Sequence, residues 1–244
     1  MIHIERKAQN AVKNVLSFIY FSGNICNMYK IDHLLNANEE VGVIMKDFYV
    51  DLHIHIGRTV SGKPVKITGS KTLTLHTILQ CASSQKGLDM IGVIDCHSPE
   101  VFLEIESLLE RGDMIELAEG GLRFQHTTLL LGSEIEVYDS YCHGPIHVLA
   151  YFPTVEKMKA FSDWMSNHVK NISLSSQRIY VEGRALQQKV YEYDGLFVPA
   201  HVFTPFKSLY GKGVKRSLTE VFDPNYIDAI ELGLSSDTQM VRNI

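Results

Sequence analysis

The segment Asp51-Leu52-His53-Ile54-His55, closing the apolar run Phe48-Tyr49-Val50, constrains this chain more than any other feature. Side chains alternate across a pleated strand, so histidines at i and i+2 point to one face. At the end of a buried strand such a pair can hold two imidazoles over one metal ion. A lone histidine there is ordinarily structural. Here the pair is echoed by Asp95-Cys96-His97, Gly132-Ser133-Glu134, His147 and His201, each at or near an edge of a predicted strand. Packing alone does not explain five such clusters.

The chain has 244 residues, enough for one large domain with a sizeable core or for two small ones. Its net charge of -5 gives no global basic signal, so any nucleic-acid contact must come from a local patch. The four cysteines are far apart and form no CxxC pair, which argues against a disulfide framework or a zinc ribbon and fits a reducing cytoplasm. No apolar run approaches the ~20 residues that span a bilayer, so no membrane association is expected. The stretch 15–25 lacks an Ala-x-Ala site and is interrupted by Ser, Gly and Asn, unlike a signal peptide.

Residues 1–44 carry no chemistry-bearing cluster and only weak apolar patterning, and they read as an N-terminal extension. Glu39-Glu40-Val41 can be encoded by a purine-rich ribosome-binding signal shortly before Met45, consistent with a start at Met45. From there strand and helix alternate. Strands are predicted at Asp47–His53, Met90–Ile94, Thr128–Val137, Ile146–Phe152, Leu196–His201 and Tyr226–Leu232, with a hairpin over 114–124. Helices are predicted at Leu73–Lys86, capped by Gly87, and after Ser98-Pro99 to Leu109. Further helices are expected at Val155–His168 and about Ser176–Tyr191, and one begins at Asp237. Repeated strand–helix units with active residues mostly at strand C-termini indicate an α/β barrel with one common mouth.

His53 and His55 offer two neutral imidazole ligands, and Asp51 is a candidate acceptor to orient one of them. Asp95 and His97 sit where the next parallel strand ends. Glu134 can bridge two ions, one through each oxygen, and Glu136 shares its face. Nitrogen and oxygen donors in this mixture suit zinc, manganese, magnesium or iron rather than a thiolate site. A carboxylate-bridged centre of two or three divalent ions is the arrangement that hydrolyses phosphate esters. Glu134, His53, His55 and Asp95 are the candidate catalytic residues. No Gly-x-Ser-x-Gly elbow or P-loop is present. His143 reads as a surface or supporting histidine, and His76, His126 and His168 as ordinary ones. Arg58, Lys63, Lys66 and Lys71 follow the first cluster, and Lys207, Lys212, Lys215 and Arg216 follow His201. Either group is a solvated face or a phosphate clamp; two basic loops around one centre favour a polyanionic substrate.

The wording DLHIHIGR, VIDCHSPE, GSEIEVY, GPIHVLAYFP, PAHVFTPF and IELGLSSDT resembles the PHP (polymerase-and-histidinol-phosphatase) family of metal-dependent phosphoesterases, and within it the endonuclease Q group. The resemblance covers about Met45 to Ile244. It implies a distorted (β/α)7 barrel and a multi-metal site with His53, His55, Asp95, His97, Glu134, His147 and His201 as ligands. It also implies cleavage of DNA on the 5′ side of deaminated bases, such as uracil and hypoxanthine, or at abasic sites. The group's last Asp-x-His motif and its cysteine-based zinc module are not within the 244 residues. The chain therefore reads as the front part of a longer protein, its barrel lacking the last strand or strands. The alternatives are a PHP phosphatase acting on a small phosphate monoester, and an inactive remnant that binds metal or DNA.

Overall fold

Two apolar layers on opposite faces of one sheet organise the computed structural model, which describes residues 29–31, 48–234 and 236–242. Nine strands form that sheet among the described residues. Its spine runs β1 (Tyr29–Ile31), β2 (Phe48–Ile54), β3 (Met90–Val93), β6 (Thr127–Val137), β7 (Ile146–Phe152) and β9 (Leu196–Pro199). Strands β5 (Leu122–Phe124), β4 (Ile115–Glu116) and β8 (Arg178–Ile179) branch from β6. The sheet curls into a half-barrel, as part of the expected (β/α) barrel would.

The pleat of β6 shows how sequence sets the layers. Leu129, Leu131, Ile135 and Val137 enter the larger core with Phe152, Phe161 and Met165. Leu130, one step out of phase, joins the smaller inner layer with Ile94, Leu149, Tyr151, Leu196, Val198 and Ala200. Glu134 has the parity of Leu130, and His147 that of Leu149 and Tyr151. Both polar side chains therefore face the concave side. Gly132, also of that parity, lets the sheet close up: a Cβ there would meet the Tyr151 ring at 2.9 Å and the Val93 carbonyl at 3.0 Å.

Strands β2, β3 and β6 are parallel, but β7 runs antiparallel to both β6 and β9. The sheet is thus mixed where regular strand–helix alternation was expected, because the 138–145 connection carries no helix. The reversal still serves the site. The start of β7 lies beside the end of β6, with Glu136 paired to His147, and β9 ends on the same side.

Helices α1 (Leu75–Gln80), α2 (Pro99–Glu110), α3 (Val155–Ser166) and α4 (Gly183–Glu192) cover the outer layer, and α5 (Thr238–Arg242) follows near the end of the chain. Thr74 caps α1 through a capping box, a π-helical turn extends it over Cys81–Lys86, and Gly87 ends it at φ +63°. Ser98 occupies the N-cap of α2, but its hydroxyl makes no capping bond. Helix α4 starts seven residues later than the pattern predicts. Ser176 takes a positive φ of 53° and the chain adds β8 before turning helical. The expected strand Tyr226–Leu232 is a single turn of 3-10 helix, Pro224–Tyr226, followed by irregular backbone. That backbone still runs alongside β9, with Asp228 N bonding Phe197 O and Glu231 N bonding Pro199 O. Of the N-terminal extension only β1 is described, and it pairs antiparallel with Phe48–Val50; the region of Met45 lies outside the described residues.

Candidate metal centre

Glu134 stands at the focus of the inner face, with its side chain almost fully buried. Four imidazoles converge on its two oxygens. His147 Nδ1 lies 2.9 Å, His53 Nε2 3.5 Å and His201 Nε2 3.6 Å from Oε1, and His55 Nε2 lies 3.4 Å from Oε2. His53 near the end of β2 and His55 just past it both reach Glu134, and the β2–β3 ladder is irregular between Asp51 and Ile54. Leu52 packs in the inner layer and Ile54 against the outer one. His201 is reached just beyond β9, where its backbone takes φ +33°. Such a conformation persists only where surroundings enforce it. Here Glu231 Oε2 accepts the His201 amide at 2.9 Å.

Carboxylates behind the rings set their orientation. His53 Nδ1 donates to Glu231 Oε1 at 2.9 Å, and His55 Nδ1 to Asp95 Oδ2 at 3.1 Å. Each arrangement leaves Nε2 free to face Glu134, the usual role of a carboxylate supporting a ligating histidine. Asp51, the expected orienting acid, instead accepts the His53 backbone amide at 3.3 Å. Its carboxylate serves the main chain. Asp95 also accepts the Ile56 amide at 2.7 Å, which fixes the turn after the histidine pair.

Two trios emerge, His53–His55–Glu134 and Glu134–His147–His201, each offering donor atoms within 4.8 Å of one another. Two ligands at ~2.1 Å from one tetrahedral ion stand about 3.4 Å apart, close to the 3.4–3.6 Å separations that His53, His55 and His201 keep from Glu134. His147 Nε2 is buried with no hydrogen-bond partner, Glu136 Oε2 being 3.5 Å away. Imidazole nitrogens gathered around one shared carboxylate, with an unpartnered His147 ring nitrogen at their edge, would fit divalent ions.

The electrostatics point the same way. Burial opposes charge on His53, but hydrogen bonds to Glu134 and Glu231 prevail and lift its pKa to about 10. His55 and His147 are also raised against burial, by Asp95 and Glu134 for the first and by Glu134 and Glu136 for the second. Glu134 is held far below the usual carboxylate range, since its four imidazole partners outweigh burial. A pocket that grips protons this firmly on imidazoles attracts other cations to the same nitrogens.

Two expected ligands stand outside the trios: Asp95, whose carboxylate sits behind His55, and His97. His97 is fully buried, with Nδ1 against Ser133 Oγ at 2.9 Å and Nε2 against the Leu174 carbonyl at 3.3 Å. Both nitrogens are engaged by protein, and burial lowers its pKa toward the neutral ring. Neither trio includes His97 or Asp95. Glu231, by contrast, was assigned no role from sequence, yet it touches a histidine of each trio. Its irregular segment hides it; the available signals were an acid within the last expected strand and its place in the quoted wording IELGLSSDT.

Among the basic residues, Lys66 alone enters the centre: its Nζ lies 2.7 Å from Ser176 Oγ and 3.4 Å from Glu134 Oε2. The Ser176 hydroxyl also donates to Glu134 Oε2. Lys207 reaches the rim through Glu136 at 2.9 Å. Lys63 pairs with Glu100 at 2.7 Å, Arg58 bonds the Gly62 carbonyl, and Lys212 lies over the Phe206 ring. Lys71 is exposed. His143 is exposed too, and His126 and His168 bond Ser83 and the Trp164 carbonyl away from the centre.

No family profile matches the chain. An uncharacterized protein of Bacillus subtilis, YqxK, is 62% identical over 200 residues, which are 82% of this chain and 52% of that protein. The crystal structure of endonuclease Q in complex with a 27-mer duplex substrate, with an abasic lesion at the active site, superposes with a TM-score of 0.62 at 28% identity. It covers 78% of this chain and 44% of that one. The lesion-specific endonuclease PfuEndoQ from Pyrococcus furiosus gives 0.63 at 27% identity, over 79% and 43% of the two chains. The chain thus spans about half the length of the curated relative and less than half of either solved chain. In these motifs, this curled sheet and these likenesses, the chain has a PHP-domain fold of the endonuclease Q kind.

Proposed function

We propose that this chain carries the metal centre of a DNA repair endonuclease, which hydrolyses the phosphodiester 5′ of deaminated bases or abasic sites within a longer protein. The observation that carries this reading is the convergence of four histidines on the two oxygens of buried Glu134. The donor set supports two ions, one for each trio. Bound there, divalent ions supply an activated water and charge for the phosphoryl oxygens.

The chain's own residues divide the remaining work. Glu134 holds the two histidine pairs in register, and Asp95 and Glu231 keep His55 and His53 in one tautomer. Lys66 offers a cation at the mouth beside Glu134, placed to meet a phosphate oxygen. Lys207 stands at the rim, half exposed, as a second contact for the phosphate backbone. A polyanionic strand rather than a small monoester suits cations spread over two loops. Among the described residues no helix is long and apolar enough to cross a membrane, and Cys81, Cys96 and Cys142 are free thiols, which supports a cytoplasmic setting.

The test is a nicking assay on uracil-containing duplex, run beside a panel of sugar phosphates, with the protein and its Glu134→Ala variant. Metal-dependent cleavage 5′ of the lesion that Glu134→Ala abolishes is the expected result. Turnover of sugar phosphates with no nicking of DNA would replace this reading with the phosphatase one.

A further inference from the structure

The face of β6 that carries Glu134 continues outward through Glu136 to Tyr138, just past the strand end. Four residues at ~3.3 Å per residue place Tyr138 about 13 Å from the metal centre along the chain. There the Arg178 guanidinium lies 4.6 Å from the centre of the Tyr138 ring and 5.5 Å from that of Tyr180. Lys170 Nζ lies 5.8 Å from the Tyr180 ring centre. Tyr138 is 38% and Tyr180 53% exposed, so neither ring serves the core. Arg178 also donates to the Tyr138 carbonyl, which fixes the stack to the end of β6.

The stack is joined to the centre by one short segment. Arg178 sits beside Glu136 in the β6–β8 pairing. Three and two residues earlier, the Ser175 hydroxyl bonds His55 Nδ1 and the Ser176 hydroxyl bonds Glu134. Whatever polymer is held at the centre therefore has ring faces and cations within a few residues of it.

We propose that Tyr138, Arg178 and Tyr180 form a stacking platform for unpaired bases of the DNA strand whose phosphate sits at the metal centre. This rests on the endonuclease reading above. Every base has a π-face, so tyrosine rings bind unpaired bases without regard to sequence, and flanking cations track the backbone. The separation of about 13 Å corresponds to roughly four stacked nucleotides at ~3.4 Å each, so one short segment spans platform and centre. The patch offers rings and cations rather than an aliphatic groove, which favours nucleic acid over a protein helix.

The experiment measures anisotropy of fluorescein-labelled oligothymidylate with the metal-loaded full chain, across a salt series. Stacking contributes about 1–3 kcal/mol per base, and 1.4 kcal/mol is tenfold. Tyr138→Ala and Tyr180→Ala should therefore each weaken binding at least about 5-fold. The slope of log affinity against log salt should stay unchanged, because phosphate contacts persist. Tyr180→Trp should bind as the native protein does. Photocrosslinking of 5-iodouracil oligonucleotides to the unmodified protein should label Tyr138 or Tyr180, a readout independent of how the variants fold. Alanine variants that bind within twofold of the native protein, or crosslinks mapping elsewhere, overturn the platform. If the native protein nicks lesion DNA while the tyrosine variants bind and nick unchanged, the platform alone fails. If the native protein neither binds nor nicks DNA, the endonuclease reading fails and the platform with it.

Discussion

Replacing Glu231 by glutamine isolates the residue that ties the two histidine trios together. Oε1 accepts the His53 Nδ1 proton at 2.9 Å, and Oε2 accepts the His201 amide at 2.9 Å while lying 3.1 Å from His53 Nδ1. Glutamine keeps the shape but has one acceptor oxygen. Whichever way its amide is turned, an NH2 group then faces either the His53 ring N–H or the His201 backbone N–H. One histidine must lose its support, by ring rotation or by relaxation of the +33° φ at His201. Loss of such a supporting carboxylate typically costs about 10–100-fold in metal affinity, or about 1.4–2.8 kcal/mol. Titration calorimetry with Zn2+ or Mn2+ on the native and Glu231→Gln proteins measures it. Asp95→Asn is the comparison, because Asp95 supports only His55 of the two trios. We expect Glu231→Gln to weaken the His53–His55 site or the His147–His201 site, whichever loses its acceptor, and Asp95→Asn to weaken the His53–His55 site alone. Native affinity and stoichiometry in Glu231→Gln would refute the reasoning.

Further outcomes follow from the same geometry. Gly132→Ala places a Cβ 2.9 Å from the Tyr151 ring and 3.0 Å from the Val93 carbonyl, and should cost about 1–3 kcal/mol in denaturant unfolding. Lys66→Met removes the cation nearest Glu134; DNA affinity should fall with its salt slope reduced by about 1, while metal content holds, as checked by anisotropy and elemental analysis. In metal-stripped protein His53 is raised from 6.5 to about 10, so its stabilising contribution is complete below pH 6.5 and is lost as pH rises toward 10. His53→Ala should flatten that stretch of the stability–pH curve.

The histidines and Glu134 were legible because strand periodicity is local. His53 and His55 are two apart, and Glu134 and His147 share parity with Leu130 and Leu149, whose layer is visible as alternating apolar residues. Strand direction was not legible, since a period of two is the same read either way. The pattern over Ile146–Phe152 therefore gave a strand without showing that it runs antiparallel to both neighbours. His97 matched the i, i+2 spacing with Asp95, but β3 ends at Val93 and the chain turns, which aims the two side chains differently. Asp95 reaches His55, while His97 enters the core against Ser133. Glu231 was hidden because its role depends on irregular backbone docking beside β9, a tertiary contact with no sequence period. Lys66 differs from its basic neighbours only in burial and aim, which composition does not carry.

The central claim is that Glu134 joins two histidine pairs into one multi-metal centre. The most direct measurement is metal content per chain by plasma mass spectrometry after loading and desalting, for the native protein, His53→Ala, His147→Ala and Glu134→Ala. The account predicts at least two tightly held ions in the native protein, loss of one with either histidine variant, and loss of both with Glu134→Ala. Unchanged metal content in Glu134→Ala would contradict it.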